Sequence, residues 1–200
     1  MLRNRRMSAS TFVREFFRSW KTTGAILPSS VALAHRIIES ANVPRARRVL
    51  ELGPGTGAFT EVIKDCLPHT ANYLGLELNE RFVETLQSRF PGFDFVAAAA
   101  QQFDFDQYLR PGEEGFDAIV SGLPWTAFPE QLQIEILNNV LPKLVPGGCF
   151  ATFAYWGFHR LPRGRHFREL LKQQPGRLRV TSVVWGNVPP AFVYVVQRDE

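Results

Sequence analysis

Short apolar runs alternate along the chain with segments in which apolar residues return every three or four positions. The runs predict strands at 48–52, 72–77, 93–97, 116–121, 148–154, 178–185 and 192–197. The helical spacing predicts helices at 31–41, 60–67, 80–89, 130–143 and 165–173, with a shorter one at 103–110. Strands separated by amphipathic helices imply a parallel sheet covered on both faces, because a parallel pair needs a long crossover. The last two predicted strands are joined by only 186–191, too short for a crossover, so they must form an antiparallel hairpin. The expected fold is α/β: a mostly parallel seven-stranded sheet with a C-terminal antiparallel hairpin strand.

The first thirty residues follow a different pattern. Phe12, Val13, Phe16, Phe17 and Trp20 recur at helical spacing, while Arg14, Arg18 and Lys21 fall on the other side. Up to Lys21 six basic residues face the single acid Glu15, a net +5 that leaves −1 for the rest of a chain whose total is +4. The basic character therefore belongs to an arm, 1–30, and the domain 31–200 is electrostatically ordinary. A basic amphipathic helix with large aromatics suits an anionic bilayer surface, and it equally suits docking on the domain's own core.

At 200 residues, 45% hydrophobic and 21% charged, the chain fits one globular domain. Cys66 and Cys149 lack the spacing of a zinc site or a disulfide framework, which suits a reducing cytoplasm; no metal is expected. The uncharged stretch 181–197 is broken by Gly186, Asn187, Pro189 and Pro190, so it cannot be a membrane span. The N-terminus has no signal-peptide pattern, and secretion is not expected. A basic face or groove for nucleic acid is missing from the domain, and no obligate protein partner is evident.

The first strand runs into Glu51-Leu52-Gly53-Pro54-Gly55-Thr56-Gly57. Glycines at every second position let the backbone turn sharply and approach a ligand with no Cβ between them. Glu77 ends the second strand, where a carboxylate can accept hydrogen bonds from ribose hydroxyls. An acid at Glu51 would repel a pyrophosphate but attract the ammonium and sulfonium of S-adenosylmethionine, so the loop points to that cofactor. Leu78 lies beside Glu77, Ser29 or Ser30 can cap the following helix, Ala99, Ala100 and Gln101 follow the third strand, and Ser121 ends the fourth; Leu78, Ser29, Ala99, Ala100, Gln101 and Ser121 complete the expected cofactor set.

The fourth strand delivers Ser121-Gly122-Leu123-Pro124-Trp125 to the ligand-binding edge of the sheet. The turn is similar to the Asn-Leu-Pro-Tyr of amino-methylating enzymes, with Gly122 in place of Asn, which is expected to leave room for a tetrahedral aliphatic amine. Ser121 Oγ and the Leu123 carbonyl are the candidate acceptors, Trp125 the covering ring, and Tyr155, after the fifth strand, the candidate proton acceptor. His159, Arg160 and Arg163 form a basic segment suited to a lipid phosphate.

Segments 24–30, 49–60, 121–124 with Phe128-Pro129, and 187–191 together resemble the bacterial phospholipid N-methyltransferases, over nearly the whole chain. The resemblance implies a Rossmann-like class I methyltransferase fold with N-terminal amphipathic helices. It also implies a peripheral enzyme of the cytoplasmic membrane face that uses S-adenosyl-L-methionine to convert phosphatidylethanolamine to phosphatidylcholine. Two departures stand out. The usual Gly-Asp-Ala after the third strand is replaced by Ala98-Ala99-Ala100-Gln101-Gln102, leaving Gln101 or Gln102 to supply an amide for adenine. Trp156-Gly157-Phe158-His159 replaces a Gly-Pro run, which opens an ornithine lipid or another aminolipid as substrate. An rRNA adenine N6-methyltransferase-like enzyme and a non-catalytic nucleotide-sensing protein of the membrane surface are the further alternatives.

Overall fold

The computed structural model describes residues 30–200. Ser29 and the arm residues Phe12, Arg14, Phe16, Phe17, Arg18 and Trp20 lie outside the described residues, as does the proposed boundary at residue 30 on its N-terminal side.

The elements in chain order are α1 (Val31–Ser40), β1 (Arg48–Leu52), α2 (Ala58–Cys66), β2 (Asn72–Glu77), α3 (Glu80–Arg89), β3 (Asp94–Ala97), α4 (Phe105–Tyr108), β4 (Phe116–Ser121), α5 (Glu130–Val140), β5 (Leu144–Tyr155), α6 (Pro162–Lys172), β6 (Arg177–Val180) and β7 (Ala191–Gln197). They build a seven-stranded sheet in the order β3-β2-β1-β4-β5-β7-β6. Strands β3, β2, β1, β4 and β5 pair in parallel, whereas β7 runs antiparallel to both β5 and β6. The reversed strand is thus an inner one, flanked by β5 and β6.

Alternation along the strands sorts the core into two layers. Leu50 and Leu52 of β1 join Leu74, Leu76 and Ile119 on the face covered by Leu132 and Ile136 of α5 and Phe167 of α6. Val49 joins Tyr73, Ala118 and Val120 on the opposite face, under Leu33 and Ile37 of α1, Ile63 of α2 and Leu86 of α3. Helix α1 begins where Ser30 Oγ accepts the backbone N–H of Leu33 at 3.2 Å, an N-cap that satisfies one otherwise orphaned donor.

Where element bounds differ from expectation, the local chemistry gives the reason. Helix α5 stops at Val140 and continues as a 3₁₀ turn over Leu141–Lys143, because Pro142 lacks the N–H an α-helix needs. Pro162 occupies the first turn of α6, so this helix starts earlier than 165. Strand β6 ends at Val180 instead of 185. There the Thr181 hydroxyl accepts the N–H of Val193 at 3.0 Å, and regular pairing returns only as an isolated bridge between Val184 and Ala191.

Candidate active site

The three glycines after β1 all hold left-handed backbone, with φ of +69° at Gly53, +58° at Gly55 and +86° at Gly57. L-residues pay a steric cost there that glycine does not. Their surroundings differ. A Cβ on Gly53 would stand 2.8 Å from Leu123 Cδ2, and one on Gly57 3.0 Å from Leu86 Cδ2, so both are glycines of close packing. A Cβ on Gly55 would meet nothing nearer than 3.9 Å, so Gly55 presents bare backbone to open space. Gly57 also donates to the Pro54 carbonyl at 2.9 Å and directly precedes α2.

The loop is held across the sheet by Glu77, which is almost wholly buried at the end of β2. Its Oε2 accepts the Gly55 N–H at 3.0 Å and its Oε1 the Asn79 N–H at 2.9 Å. A carboxylate offers about four acceptor positions, so these bonds are compatible with hydroxyl donors from a ribose.

Beside Glu77 lies a narrow cleft, with a cavity volume of about 20 Å³, lined by Gly53, Leu76, Glu77, Leu78, Ala98, Ala100, Gln101, Leu123, Phe128 and Ile136. Six residues expected from the sequence thus come together: Gly53, Glu77, Leu78, Ala100, Gln101 and Leu123. Of the two glutamines it is Gln101 that faces the cleft, and its buried Nε2 finds no hydrogen-bond partner among the described residues. Gln102 lines a groove on the other side of the 97–104 loop. The loop itself is fixed by Asn139, which donates to the carbonyls of Ala100 at 2.8 Å and Phe103 at 3.0 Å. Ile136, Phe128 and Asn139 were not among the sequence candidates. Phe128 carries a signal in Phe128-Pro129, but Ile136 and Asn139 read as ordinary positions of an amphipathic helix.

Four expected site residues are placed elsewhere. The Glu51 side chain alternates with Leu50 and Leu52 and therefore lies on the Val49 face, fully buried under α2. Its Oε2 accepts the Tyr73 hydroxyl at 2.5 Å and the Thr60 hydroxyl at 2.9 Å, and Oε1 has no partner among the described residues. Burial pushes its pKa up to about 7, against the opposing effect of those two hydrogen bonds. Glu51 is thus placed in the core, away from the cleft beside Glu77. Ala99 lines the groove beside Gln102 and not the cleft.

Ser121 and Trp125 belong to the core. Ser121 is fully buried, and its Oγ accepts the Trp125 indole N–H at 3.0 Å and the Leu123 N–H at 3.3 Å. Trp125 is 1% exposed and stacks on Phe167 at 4.5 Å, which leaves its ring no surface to cover a substrate. The Leu123 carbonyl accepts the Trp125 N–H at 3.0 Å and keeps a second lone pair. Gln133, which the sequence did not single out, holds this turn from α5 by donating to the Trp125 carbonyl at 2.7 Å. Gly122 does not open room for substrate: a Cβ there would stand 2.8 Å from the Gly53 carbonyl oxygen, so the space belongs to the glycine loop.

Tyr155 ends β5 at the same edge of the sheet, half-buried, and burial raises its pKa so that it remains a phenol at neutral pH. The basic segment is held on separate partners. His159 packs on Phe192 and Trp156, with its pKa lowered mainly by burial; Arg160 lies over the Trp156 ring at 5.5 Å; and Arg163 donates to the Ala127 carbonyl at 3.0 Å.

The sheet order, the glycine loop and the acid ending β2 define an adenosyl-cofactor enzyme of the class I type. The Methyltransferase domain family matches residues 49–148, half of the chain, and the chain belongs to the S-adenosylmethionine-dependent methyltransferases. Among curated proteins it is 33% identical, over 92% of both chains, to the ornithine lipid N-methyltransferase of Singulisphaera acidiphila. It is also 30% identical to the ribosomal RNA small subunit methyltransferase A of Malacoplasma penetrans, over 46% of this chain and 31% of that protein. Among solved structures it superposes on the N-methyltransferase NodS from Bradyrhizobium japonicum WM9 with a TM-score of 0.62 at 16% identity, covering 93% of this chain and 98% of that one. The O-methyltransferase TomG from Streptomyces achromogenes, in complex with the cofactor, gives 0.64 at 19% identity, covering 96% and 90%.

The residues present fit S-adenosylmethionine. Gly55 offers unobstructed backbone, Glu77 a carboxyl group at the end of β2 with acceptor positions to spare, and Gln101 an amide with an unsatisfied end in a cleft otherwise lined, beside Glu77, by apolar residues. When bound, the cofactor supplies an electrophilic methyl group on a sulfonium.

Proposed function

We propose that this enzyme N-methylates the headgroup amine of an ornithine lipid or a closely related aminolipid at a membrane surface. The observation that carries the reading is the relationship with a curated ornithine lipid N-methyltransferase over 92% of both chains, well beyond the cofactor half. By contrast the ribosomal RNA small subunit methyltransferases match 44 to 65% of this chain and at most 49% of their own length. Phosphatidylethanolamine, which the sequence pattern favoured, shares the primary amine and a neighbouring anion with an ornithine headgroup, and is the comparison substrate.

Methyl transfer needs a neutral amine aligned with the methyl group, and positioning alone can remove much of the barrier. An alkylammonium has a pKa of about 10, so it must lose a proton before reaction. Among the described residues that line the cleft, Glu77 carries the one carboxyl group, and it is committed to the glycine loop. The proton therefore leaves to solvent. The Leu123 carbonyl and the Tyr155 hydroxyl oxygen hold the N–H groups of the neutral amine, which orients its lone pair.

Methyl-labelled donor incubated in parallel with ornithine lipid micelles, phosphatidylethanolamine micelles and ribosomal RNA tests this. Label in the ornithine lipid extract at the highest rate is expected; label confined to RNA would overturn the reading, and a faster phosphatidylethanolamine reaction would move it to that lipid.

A further inference from the structure

Two loops at the carboxyl edge of the sheet leave large apolar side chains in solvent. After β5, Trp156 is 43%, Phe158 48% and Leu161 50% exposed; between β6 and β7, Trp185 is 67% and Val188 66% exposed. They form one surface: the rings of Trp156 and Trp185 are 6.0 Å apart, and the Trp156 N–H donates to the Pro190 carbonyl at 2.7 Å, joining the loops through their backbones. The second loop is braced from within by Asn187, whose buried amide donates to the Pro189 carbonyl at 2.6 Å and accepts the Ser30 N–H at 2.9 Å. A fixed apolar patch of this kind has a function beyond the fold, since folding would favour covering it.

Charge identifies the occupant. From Trp156 to Arg168 the chain carries four arginines, Arg160, Arg163, Arg165 and Arg168, and no acid, and the loop 181–191 carries no charged residue. Among the described residues none of these four forms an ion pair. Arg160 lies over the Trp156 ring, so a cation and an amphipathic aromatic are presented together. Tryptophans that place a ring at headgroup depth, ringed by arginines, complement an anionic lipid surface. Glu130 stands 4.0 Å from His166 and Glu169 follows Arg168, so the four arginines still leave this face net positive.

We propose that these two loops are a membrane-docking face of the catalytic domain itself, in addition to the N-terminal arm, and that it seats the domain on anionic lipid with the active-site edge toward the bilayer. This rests on the aminolipid reading above. Tyr155 directly precedes Trp156, and its ring lies 6.2 Å from Phe158, so the face begins where the substrate amine is held. The Ser30 to Asn187 bond ties the start of α1 to the same loop. A lipid headgroup then reaches the cleft without its acyl chains leaving the bilayer.

The test uses the full chain in a Trp20→Phe background, with vesicles of phosphatidylglycerol and brominated phosphatidylcholine, which hold no methylatable amine. Bromine quenching of tryptophan emission is expected, and it should vanish in Trp156→Phe/Trp185→Phe, which leaves only buried Trp125. Vesicle sedimentation should weaken about tenfold in Trp156→Ser/Trp185→Ser, and Arg160→Glu/Arg165→Glu should weaken it on anionic but not on neutral vesicles. Each variant is checked for unchanged binding of S-adenosylhomocysteine, and the quenching measurement stands even where a serine variant does not fold. Unquenched emission in the Trp20→Phe protein, with parental sedimentation of the arginine variant, would overturn the proposal. Labelling of ornithine lipid in detergent micelles needs no docking, so it reports on the substrate reading separately.

Discussion

Glu77 Oε2 accepts the backbone N–H of Gly55 at 3.0 Å, so the residue that ends β2 also sets the loop that ends β1. The order of the glycine loop and the position of this carboxyl group are thereby one structural unit. Replacing Glu77 by Ala removes a carboxylate acceptor and leaves the Gly55 N–H without its partner, and a hydrogen bond to a charged group contributes about 1.5 to 3 kcal/mol. Calorimetry with S-adenosylhomocysteine should show a dissociation constant raised at least about tenfold. An unchanged constant in a folded variant would remove Glu77 from the cofactor site.

Gly55 and Gly57 separate ligand from packing. Ala at 55 carries a left-handed cost of about 1–2 kcal/mol but meets no neighbour, so the variant should fold and lose product affinity about tenfold or more. Ala at 57 is strained and also presses on Leu86 and Phe90, at 3.0 and 3.2 Å, so its principal loss should be in thermal stability. Melting curves and calorimetry on the pair distinguish the two; equal losses of both properties in both variants would contradict the assignment.

The sheet was legible because its strands β1, β2 and β4 are short apolar runs bounded by turn residues, and their bounds coincide with the pattern at 48–52, 72–77 and 116–121. Strand β6 was over-extended because 181–185 keeps a β-like composition while the Thr181 hydroxyl takes over a ladder bond, a competition that periodicity cannot register. In the site, Gly55 and Glu77 were legible as a motif whose spacing has a backbone reason. For Glu51 the motif signals the charge, whereas the alternation of β1 assigns its direction, to the Val49 face. Ser121 and Trp125 depend on Phe167, more than forty positions along the chain, and the choice of Gln101 over Gln102 depends on Asn139 fixing the loop, so both required tertiary structure.

Ser121→Ala tests the core assignment of that hydroxyl. The change leaves the Trp125 indole N–H buried without its acceptor, a cost of about 1–3 kcal/mol, while the Leu123 carbonyl and Tyr155 are untouched. Chemical denaturation should show that loss, with the methylation rate per folded molecule within about twofold of the parent, a difference of less than 1 kcal/mol in barrier. A rate loss of orders of magnitude in a stable variant would return Ser121 to the reacting centre.

Glu51 gives the fold a pH dependence of defined sign. Its pKa is raised from the ordinary 4.5 to about 7 in the folded protein, principally by burial. Between those two values the folded protein keeps a proton that the unfolded chain releases, so this group's contribution is fully present below about pH 4.5, declines as pH rises through the window, and levels off above about 7. The span corresponds to about 3 kcal/mol. Glu51→Gln has no proton to lose, and its carbonyl oxygen can still accept from Tyr73 and Thr60. The parent without cofactor should therefore lose more stability than the variant between pH 5 and pH 8, with Glu51→Gln the more stable of the two at pH 8. Denaturation midpoints at the two pH values measure this, and parallel pH profiles for the two proteins would mean that Glu51 is already ionised in the core at pH 5.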